Sequence, residues 1–231
     1  MISITNVTKT YGKKNNLFTA LQDITLSVED NTTVALIGKS GSGKSTLMHI
    51  MSGLDHPTTG RITIDKVDLF EMKPAAMDAF RATQMSFIFQ AFFVEANQTC
   101  YENVMLPLEI AKVAFTKRQK LVMDALAAVE LSDKAQVLAA NLSGGQKQRL
   151  AIARAIVNQP RIIFADEPTG NLDSTTGDKI MKLLFDLNKQ LGCTIILVTH
   201  DAELAARCAV QVRLKDGIVE SVSSKPERPA K

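Results

Sequence analysis

The segment spanning residues 33–51 constrains the fold of this chain more than any other. The apolar run TVALI is followed by GKSGSGKS at positions 38–45, and then by TLMHIM. A continuous apolar run of this length predicts a strand of a parallel sheet that is covered on both faces. A glycine-rich turn between such a strand and a helix is typical of α/β proteins that bind phosphate groups. We therefore predict an α/β fold built around this strand, loop and helix.

The glycine-rich turn matches the pattern G-x-x-x-x-G-K-[S/T] at every fixed position. Its glycines allow backbone N–H groups to turn inward around phosphates, and the helix N-terminus adds partial positive charge. In such loops the lysine, here Lys44, reaches the β- and γ-phosphates, and the hydroxyl of Ser45 binds Mg²⁺. A turn without any ligand is the alternative, which the complete motif argues against. The predicted nucleotide-binding residues are Gly38, Lys39, Ser40, Gly41, Ser42, Gly43, Lys44, Ser45 and Thr46.

A second motif, IIFADEP at residues 162–168, places two carboxylates after another apolar strand. Ligands of open α/β sheets bind outside the carboxyl ends of the strands. Asp166 is therefore expected to hold Mg²⁺, directly or through water, and Glu167 to polarise the attacking water. A strand end carrying two solvated acids is the alternative when this motif is considered alone.

The stretch LSGGQ at residues 142–146 is the most specific motif of the chain. Ser143 stands where the N-cap of a helix over residues 146–157 is expected. Backbone amides at the start of that helix, together with the serine hydroxyl, would form an anion site. The chain therefore has two separate segments suited to phosphate.

Together these motifs resemble the ATP-binding subunits of ABC transporters, and the resemblance covers nearly the whole chain. It implies that Tyr11 stacks on adenine, that Gln90 senses Mg²⁺ and γ-phosphate, and that His200 contacts γ-phosphate. An isolated His or Gln is more often structural, and a tyrosine at this position could simply end a strand. The resemblance also implies contacts with the nucleotide of a second subunit from Ser143, Gly144, Gly145, Gln146 and Asp173.

The string DEPTGNLD at residues 166–173 narrows the resemblance to the MacB/LolD/FtsE-type branch of export, lipoprotein release and mechanotransmission. The segment AFFVEANQTC at residues 91–100 departs from the leucine- and proline-rich stretch that many relatives carry there. Because of this difference, the resemblance does not identify the membrane partner, whereas the ATPase chemistry that it implies is unaffected.

The resemblance implies an ATPase that forms a homodimer around two ATP molecules, with Mg²⁺, and moves a separate integral membrane protein. We expect that permease-type protein to dock near residues 90–103, and the subunit to lie at the cytoplasmic face of the cell membrane. The expected cargo is that of an exporter or of a lipoprotein, antibiotic or haem release system. Alternatives are an FtsE-like regulator that transports nothing, an importer subunit and a soluble ABC ATPase. A P-loop kinase would lack LSGGQ and His200.

Composition agrees with a peripheral subunit. The 231 residues carry a net charge of +3 and three scattered cysteines, which are expected to be reduced thiols. The residues near position 1 show no signal peptide, and no apolar run approaches the ~20 residues of a membrane span. The basic clusters at 117–120 and 225–231 are expected to be solvated faces. Weak attraction to an anionic membrane is an alternative for them, and nucleic-acid binding is not expected.

Alternating strand and helix patterns predict a single domain over residues 1–231. A P-loop NTPase core of RecA type, with a mostly parallel sheet and an N-terminal antiparallel β layer, is expected at about residues 1–90 and 158–222. An inserted helical subdomain is expected at about residues 91–157. The polar, proline-broken tail at residues 223–231 is expected to be disordered.

Overall fold

The computed structural model describes residues 1–13 and 16–225, which form two compact units. The first unit comprises Met1–Met77 and Thr194–Lys231, and the second comprises Asp78–Cys193. The strands are β1 (Ile2–Tyr11), β2 (Phe18–Val28), β3 (Thr33–Ile37), β4 (Thr59–Ile64), β5 (Val67–Asp68), β6 (Met85–Phe89), β7 (Ile162–Asp166), β8 (Thr194–Val198), β9 (Val210–Lys215) and β10 (Ile218–Ser224). The α-helices are α1 (Lys44–Met51), α2 (Pro74–Gln84), α3 (Cys100–Ile110), α4 (Phe115–Ala128), α5 (Gly144–Ile156), α6 (Ser174–Leu191) and α7 (Ala202–Arg207), and short 3₁₀ turns cover Ser132–Lys134 and Ala139–Asn141.

The predicted N-terminal β layer is present in the first unit as an antiparallel sheet with the strand order β2-β1-β4-β5. Alternate residues of β1 and β4 are buried, among them Ile2, Ile4 and Ile62. This period of two is expected of a sheet that packs one face on a core.

The first unit also contains strands in the order β10-β9-β3-β8, with β3 parallel to both β8 and β9. Every residue of β3 and β8 is buried, as their apolar sequences predict. The register places Leu36 opposite Val198, so the carboxyl ends of β3 and β8 lie side by side. Segments that leave these two strands therefore emerge at the same edge of the sheet.

The second unit contains the parallel pair β6 and β7 together with helices that pack on one another. The buried faces of α3, α4 and α5 meet through apolar side chains that include Val104, Leu108, Val122, Leu126 and Leu150. The mostly parallel sheet and the inserted helices agree with the predicted fold class. This compact unit also includes β6, β7 and α6, so it is larger than the helical segment expected at residues 91–157.

One detail of the expected organisation is corrected. Ser223 and Ser224 belong to β10 rather than to a disordered tail, because their backbones pair with Gln211 and Val210. The remainder of that expected tail, residues 226–231, lies outside the described residues.

The three cysteines are free and buried. Burial raises the pKa of Cys193 and of Cys208 to about 11, because the thiolate would lose its hydration. Among the described helices, none combines the length and the apolar character that crossing a bilayer requires.

Candidate functional site

The glycine-rich loop of the first unit is held by close backbone contacts. Gly43 ends the loop in a left-handed conformation with φ of 98° and caps α1. A Cβ atom at this position would lie 2.7 Å from the carbonyl oxygen of Ala20. Behind the loop, the N–H of Gly217 donates to the carbonyl oxygen of Ser42 at 3.2 Å. The close approach leaves room only for glycine at position 43.

Lys44 lies folded over this loop. Its Nζ donates hydrogen bonds to the carbonyl oxygens of Gly38 at 2.8 Å and Lys39 at 2.9 Å, and only 9 % of the residue is exposed. A buried ammonium group is costly unless it is compensated, and neutral carbonyls compensate it less than an anion would. The arrangement is therefore suited to a phosphate group, with the exposed Ser45 in the first turn of α1 beside it.

His200 leaves the sheet beside the loop. His200 lies two residues after Val198, the last residue of β8, and Gly38 lies two residues after Leu36, which pairs with Val198. The N–H of Thr199 donates to the carbonyl oxygen of Leu36 at 3.2 Å. The next residue, Asp201, caps α7. The structure thus brings the predicted histidine and the phosphate loop to one edge of the first unit.

Tyr11 is the last residue of β1 and is held by two polar neighbours, Asp55 and Lys9. Its hydroxyl donates to Oδ2 of Asp55 at 2.6 Å, and the ammonium group of Lys9 lies 4.7 Å from the centre of its ring. Lys9 also pairs with Oδ1 of Asp55 at 2.7 Å. The ring remains 40 % exposed. Lys9 lies over the ring, so a planar base stacked on Tyr11 would need the opposite face.

These neighbours change the pKa values of both acids. Burial, reinforced by the hydrogen bond and charge of Asp55, raises the pKa of the Tyr11 phenol. For Asp55, burial acts to raise the pKa, but hydrogen bonds from Lys9 and Tyr11 outweigh it and lower the pKa. The phenol is thereby kept neutral as a donor to a carboxylate.

In the second unit the acidic motif and the predicted glutamine lie on neighbouring strands. Phe89 of β6 is in register with Asp166 of β7, so Gln90 and Glu167 each follow directly at the carboxyl end of their strand. Glu167 has a positive φ of 44°, which turns the chain sharply after the strand. Neighbouring strands lie about 4.8 Å apart, so this register places two predicted catalytic residues close together.

Two side chains fix the loops that carry these residues. Gln148 of α5 is fully buried, and its Nε2 donates to the carbonyl oxygen of Pro168 at 2.6 Å. Gln90 and Asn171 exchange hydrogen bonds, since Asn171 Nδ2 donates to the Gln90 carbonyl at 2.9 Å and Gln90 Nε2 donates to Asn171 Oδ1 at 3.3 Å. The segment after Gln90 is therefore tied to the segment after Glu167.

The LSGGQ segment begins α5 as predicted. Ser143 is the N-cap: its hydroxyl accepts from the N–H of Gln146 at 3.4 Å, and its own N–H donates to Oε1 of Gln146 at 2.9 Å. This capping box orders the first turn, and the serine hydroxyl keeps its hydrogen available for donation. Ser143 and Gly144 are exposed, whereas Gly145 packs so closely on Thr176 that a Cβ atom would lie 2.7 Å from Thr176 Cγ2.

Asp173 has a structural role within the chain. It caps α6 by accepting from the N–H of Thr176 at 3.0 Å, and this hydrogen bonding lowers the pKa of its carboxyl group. Any contact with a second subunit is an additional role that remains a prediction. Sequence analysis also missed the roles of Asp55, Gln148 and Asn171. Asn171 lies within the DEPTGNLD string, but the hydrogen-bond partners of Asn171 and Gln148 are distant in sequence.

The predicted metal ligands Ser45, Gln90 and Asp166 carry hard oxygen donors, which are suited to Mg²⁺ rather than to a softer metal. Within residues 1–13 and 16–225, no group of three or more His, Cys, Asp or Glu side chains could hold a metal ion. Mg²⁺ is commonly held by one or two carboxylates or hydroxyls together with substrate phosphates. Ser45 and Asp166 offer such hard oxygen donors, and Gln90 offers an amide oxygen.

Comparison with known proteins gives consistent matches. Residues 21–170 match the family described as ABC transporter. The chain is 42 % identical to the lipoprotein-releasing system ATP-binding protein LolD of Syntrophotalea carbinolica, over 94 % of this chain and 96 % of that protein. It is 41 % identical to the macrolide export ATP-binding/permease protein MacB of Rhodopirellula baltica, over 95 % of this chain and 32 % of that protein. The ATP-binding cassette MJ0796, solved as a dimer in a post-hydrolysis state bound to ADP and Pi, has a TM-score of 0.87 and 39 % identity, covering 97 % of this chain and 98 % of its own.

We expect Asp55→Asn to lower the pKa of Tyr11, because the carboxylate disfavours the tyrosinate. The chain has two tyrosines, so the titration is followed by tyrosinate absorbance in a Tyr101→Phe background that reports Tyr11 alone. A raised folded-state pKa contributes stability below the pKa of the unfolded tyrosine, and that stability is lost as pH rises through the folded value. An unchanged titration midpoint in Asp55→Asn would show that Asp55 does not control the phenol.

Proposed function

The chain belongs to the ABC transporter family and is an ABC-type ATPase, and from this premise we propose how its residues bind and hydrolyse ATP and what it drives. The observation that carries the site assignment is the buried ammonium group of Lys44. Its hydrogen-bond acceptors are carbonyl oxygens of its own loop. The β- and γ-phosphates of ATP provide the anion that such a group requires.

Each motif takes one part of the chemistry. Lys44 and the amides of residues 38–46 bind phosphate, and Tyr11 stacks on the base. Ser45, Asp166 and Gln90 would hold Mg²⁺, and the bound ion would neutralise charge on the phosphates. Glu167 accepts hydrogen bonding from the attacking water and polarises it, while His200 contacts the γ-phosphate. Water attacks the γ-phosphorus and the bond to the ADP oxygen breaks, giving ADP and phosphate.

We propose that the catalytic unit is a head-to-tail homodimer that encloses two ATP molecules. The support is that α5 begins with an exposed Ser143 and a capped first turn, a geometry that binds anions at a helix N-terminus. The ATP-binding cassette MJ0796, with 39 % identity, was solved as a dimer. In this arrangement the LSGGQ segment of one subunit contacts the nucleotide on the phosphate loop of the other. Loss of the γ-phosphate then weakens the interface, and the pair opens by a population shift.

The function best supported is that of the ATPase subunit of an export or release complex, working at the cytoplasmic face of the cell membrane. Its relatives are named for lipoprotein release and macrolide export. The membrane-spanning partner would be an integral permease-type protein that docks near residues 90–103. Closing and opening of the ATPase pair would move this partner.

Phe93 is the best candidate for the docking contact. Its side chain is 64 % exposed, which removes it from the core, and its ring meets Phe89 edge-on at 5.3 Å between centroids. Its backbone adopts a positive φ of 47°, and Arg154 donates hydrogen bonds to the carbonyl oxygens of Phe92 and Phe93. The ring is thus presented by a fixed backbone, directly after the strand that leads to Gln90. An exposed aromatic anchor of this kind suits an amphipathic helix of the partner.

Glu167→Gln tests the catalytic assignment. The amide preserves size but removes the basic carboxylate, so ATP binding should persist while hydrolysis falls by about 100-fold or more. Light scattering should then show an ATP-dependent doubling of mass, because the ATP-bound pair can no longer reopen by hydrolysis. Lys44→Ala is the matched control, which should lose both nucleotide binding and the dimer. Normal turnover in Glu167→Gln would remove Glu167 from the role.

Ser143→Arg tests whether LSGGQ acts across the dimer. We expect the isolated monomer to bind ATP as the wild type does, while dimer formation and hydrolysis are lost through crowding at the γ-phosphate. Ser143→Ala is the control, since it removes the helix cap without adding bulk and separates capping from crowding. If Ser143→Arg weakened ATP binding by the monomer to the same extent, the segment would work within its own chain.

Phe93→Asp tests the docking contact. An aspartate tolerates the positive φ, so the thermal melting temperature and the basal ATPase rate should stay close to wild type, whereas binding of the membrane partner should be lost. Val67→Asp is the control because Val67 is an exposed apolar residue of the first unit, 47 % exposed. Retained partner binding and stimulation in Phe93→Asp would exclude Phe93 from the docking surface.

A further inference from the structure

The turn between α3 and α4 exposes large apolar side chains that the ATPase chemistry does not use. Phe115, the first residue of α4, is 79 % exposed, and Ile110, the last residue of α3, is 62 % exposed. Leu106 lies one helical turn before Ile110 and is also exposed. We call residues 109–117 the hairpin tip. Single exposed apolar residues are ordinary, but two of this size flanking one short turn require an explanation.

The hairpin tip is ordered by its own hydrogen bonds. The N–H of Val113 donates to the carbonyl oxygen of Leu108 at 2.9 Å, and Arg118 Nε donates to the carbonyl oxygen of Val113 at 2.9 Å. Lys112 occupies the turn in a left-handed conformation with φ of 56°. Phe115 and Ile110 are therefore displayed by a defined turn, which reduces the ordering cost of placing them in a contact.

Positive charge surrounds these apolar side chains. Arg118 pairs with Glu109 at 3.0 Å, and Lys120 pairs with Asp124 at 2.6 Å, so the acids of this region are matched by neighbouring cations. Lys112 and Lys117 are exposed beside Ile110 and Phe115 and leave the region with net positive charge. A second copy of the same surface would bring like charges together, which disfavours self-association through the tip.

We propose that the hairpin tip binds the surface of an anionic lipid bilayer. Phe115 and Ile110 would enter the boundary between headgroups and acyl chains, and Lys112 and Lys117 would contact lipid phosphates. Exposed aromatic and aliphatic residues flanked by lysines are the combination that binds such surfaces, by apolar burial and by electrostatic attraction together. The contact is separate from nucleotide binding and from the Phe93 docking surface. It would orient the subunit on the membrane before or alongside its protein partner.

The test is flotation of the purified full chain with vesicles, without nucleotide and without any membrane protein. One set contains equal parts of phosphatidylcholine and phosphatidylglycerol, and the other contains phosphatidylcholine alone. We expect binding to the anionic vesicles that salt weakens, and little binding to the neutral ones. Phe115→Ser and, separately, the double variant Lys112→Glu with Lys117→Glu should each lower the partition coefficient by about tenfold.

Matched controls separate a local contact from general stickiness. Phe18→Ser removes an aromatic side chain that is 62 % exposed in the first unit, and Lys66→Glu with Lys189→Glu makes the same charge change elsewhere. Both controls should bind as wild type does, and thermal melting checks that every variant is folded. Equal binding to both vesicle types, or equal losses in variants and controls, would overturn the proposal. The proposal would also be overturned if light scattering showed that Phe115→Ser abolishes self-association while vesicle binding stays unchanged. None of these outcomes bears on the ATPase assignment, because no nucleotide is present.

Discussion

The phosphate loop of the first unit is organised around one buried charge. The ammonium group of Lys44 is held by carbonyl oxygens of its own loop, which must curl tightly enough to bring Gly38 and Lys39 within hydrogen-bonding distance. That curl depends on Gly43, where the backbone of Ala20 leaves no space for a side chain. It depends equally on the fully buried strand β3, which fixes the start of the loop. A phosphate group is the ligand that a loop of this charge and shape stabilises best.

A second organising constraint is the register of parallel strands. Pairing of Leu36 with Val198 sets His200 beside the phosphate loop, and pairing of Phe89 with Asp166 sets Gln90 beside Glu167. In each unit, residues that are distant in sequence reach one edge because parallel strands end in the same direction. The buried amide of Gln148 and the reciprocal pair of Gln90 with Asn171 then hold the loops that follow. Movement of one such loop is therefore coupled to the other.

The second unit displays two exposed aromatic residues in different settings. Phe93 lies on a backbone to which Arg154 donates hydrogen bonds, and it follows the strand that leads to Gln90. Phe115 stands beside Lys112 and Lys117 on a turn that is ordered by its own hydrogen bonds. Burial lowers the pKa of the Arg154 guanidinium. The role of Arg154 is structural, because it donates hydrogen bonds to the backbone carbonyls of Phe92 and Phe93. Phe93 therefore suits contact with a protein partner that moves, whereas Phe115 suits contact with a membrane surface that only anchors the subunit.

The sequence by itself determined the fold class, the phosphate loop and the capped LSGGQ helix, because each depends on local chemistry. Strand burial, helix capping and tight turns are all readable from neighbouring residues. Tertiary structure decided the partners of Tyr11, which are Lys9 and Asp55, and the exposure of Phe93. It also placed Ser223 and Ser224 in β10, because pairing with β9 supplied hydrogen bonds that the sequence of this segment does not predict. Contacts between segments far apart in the chain depend on register and packing, and one sequence read along its length contains no direct measure of either.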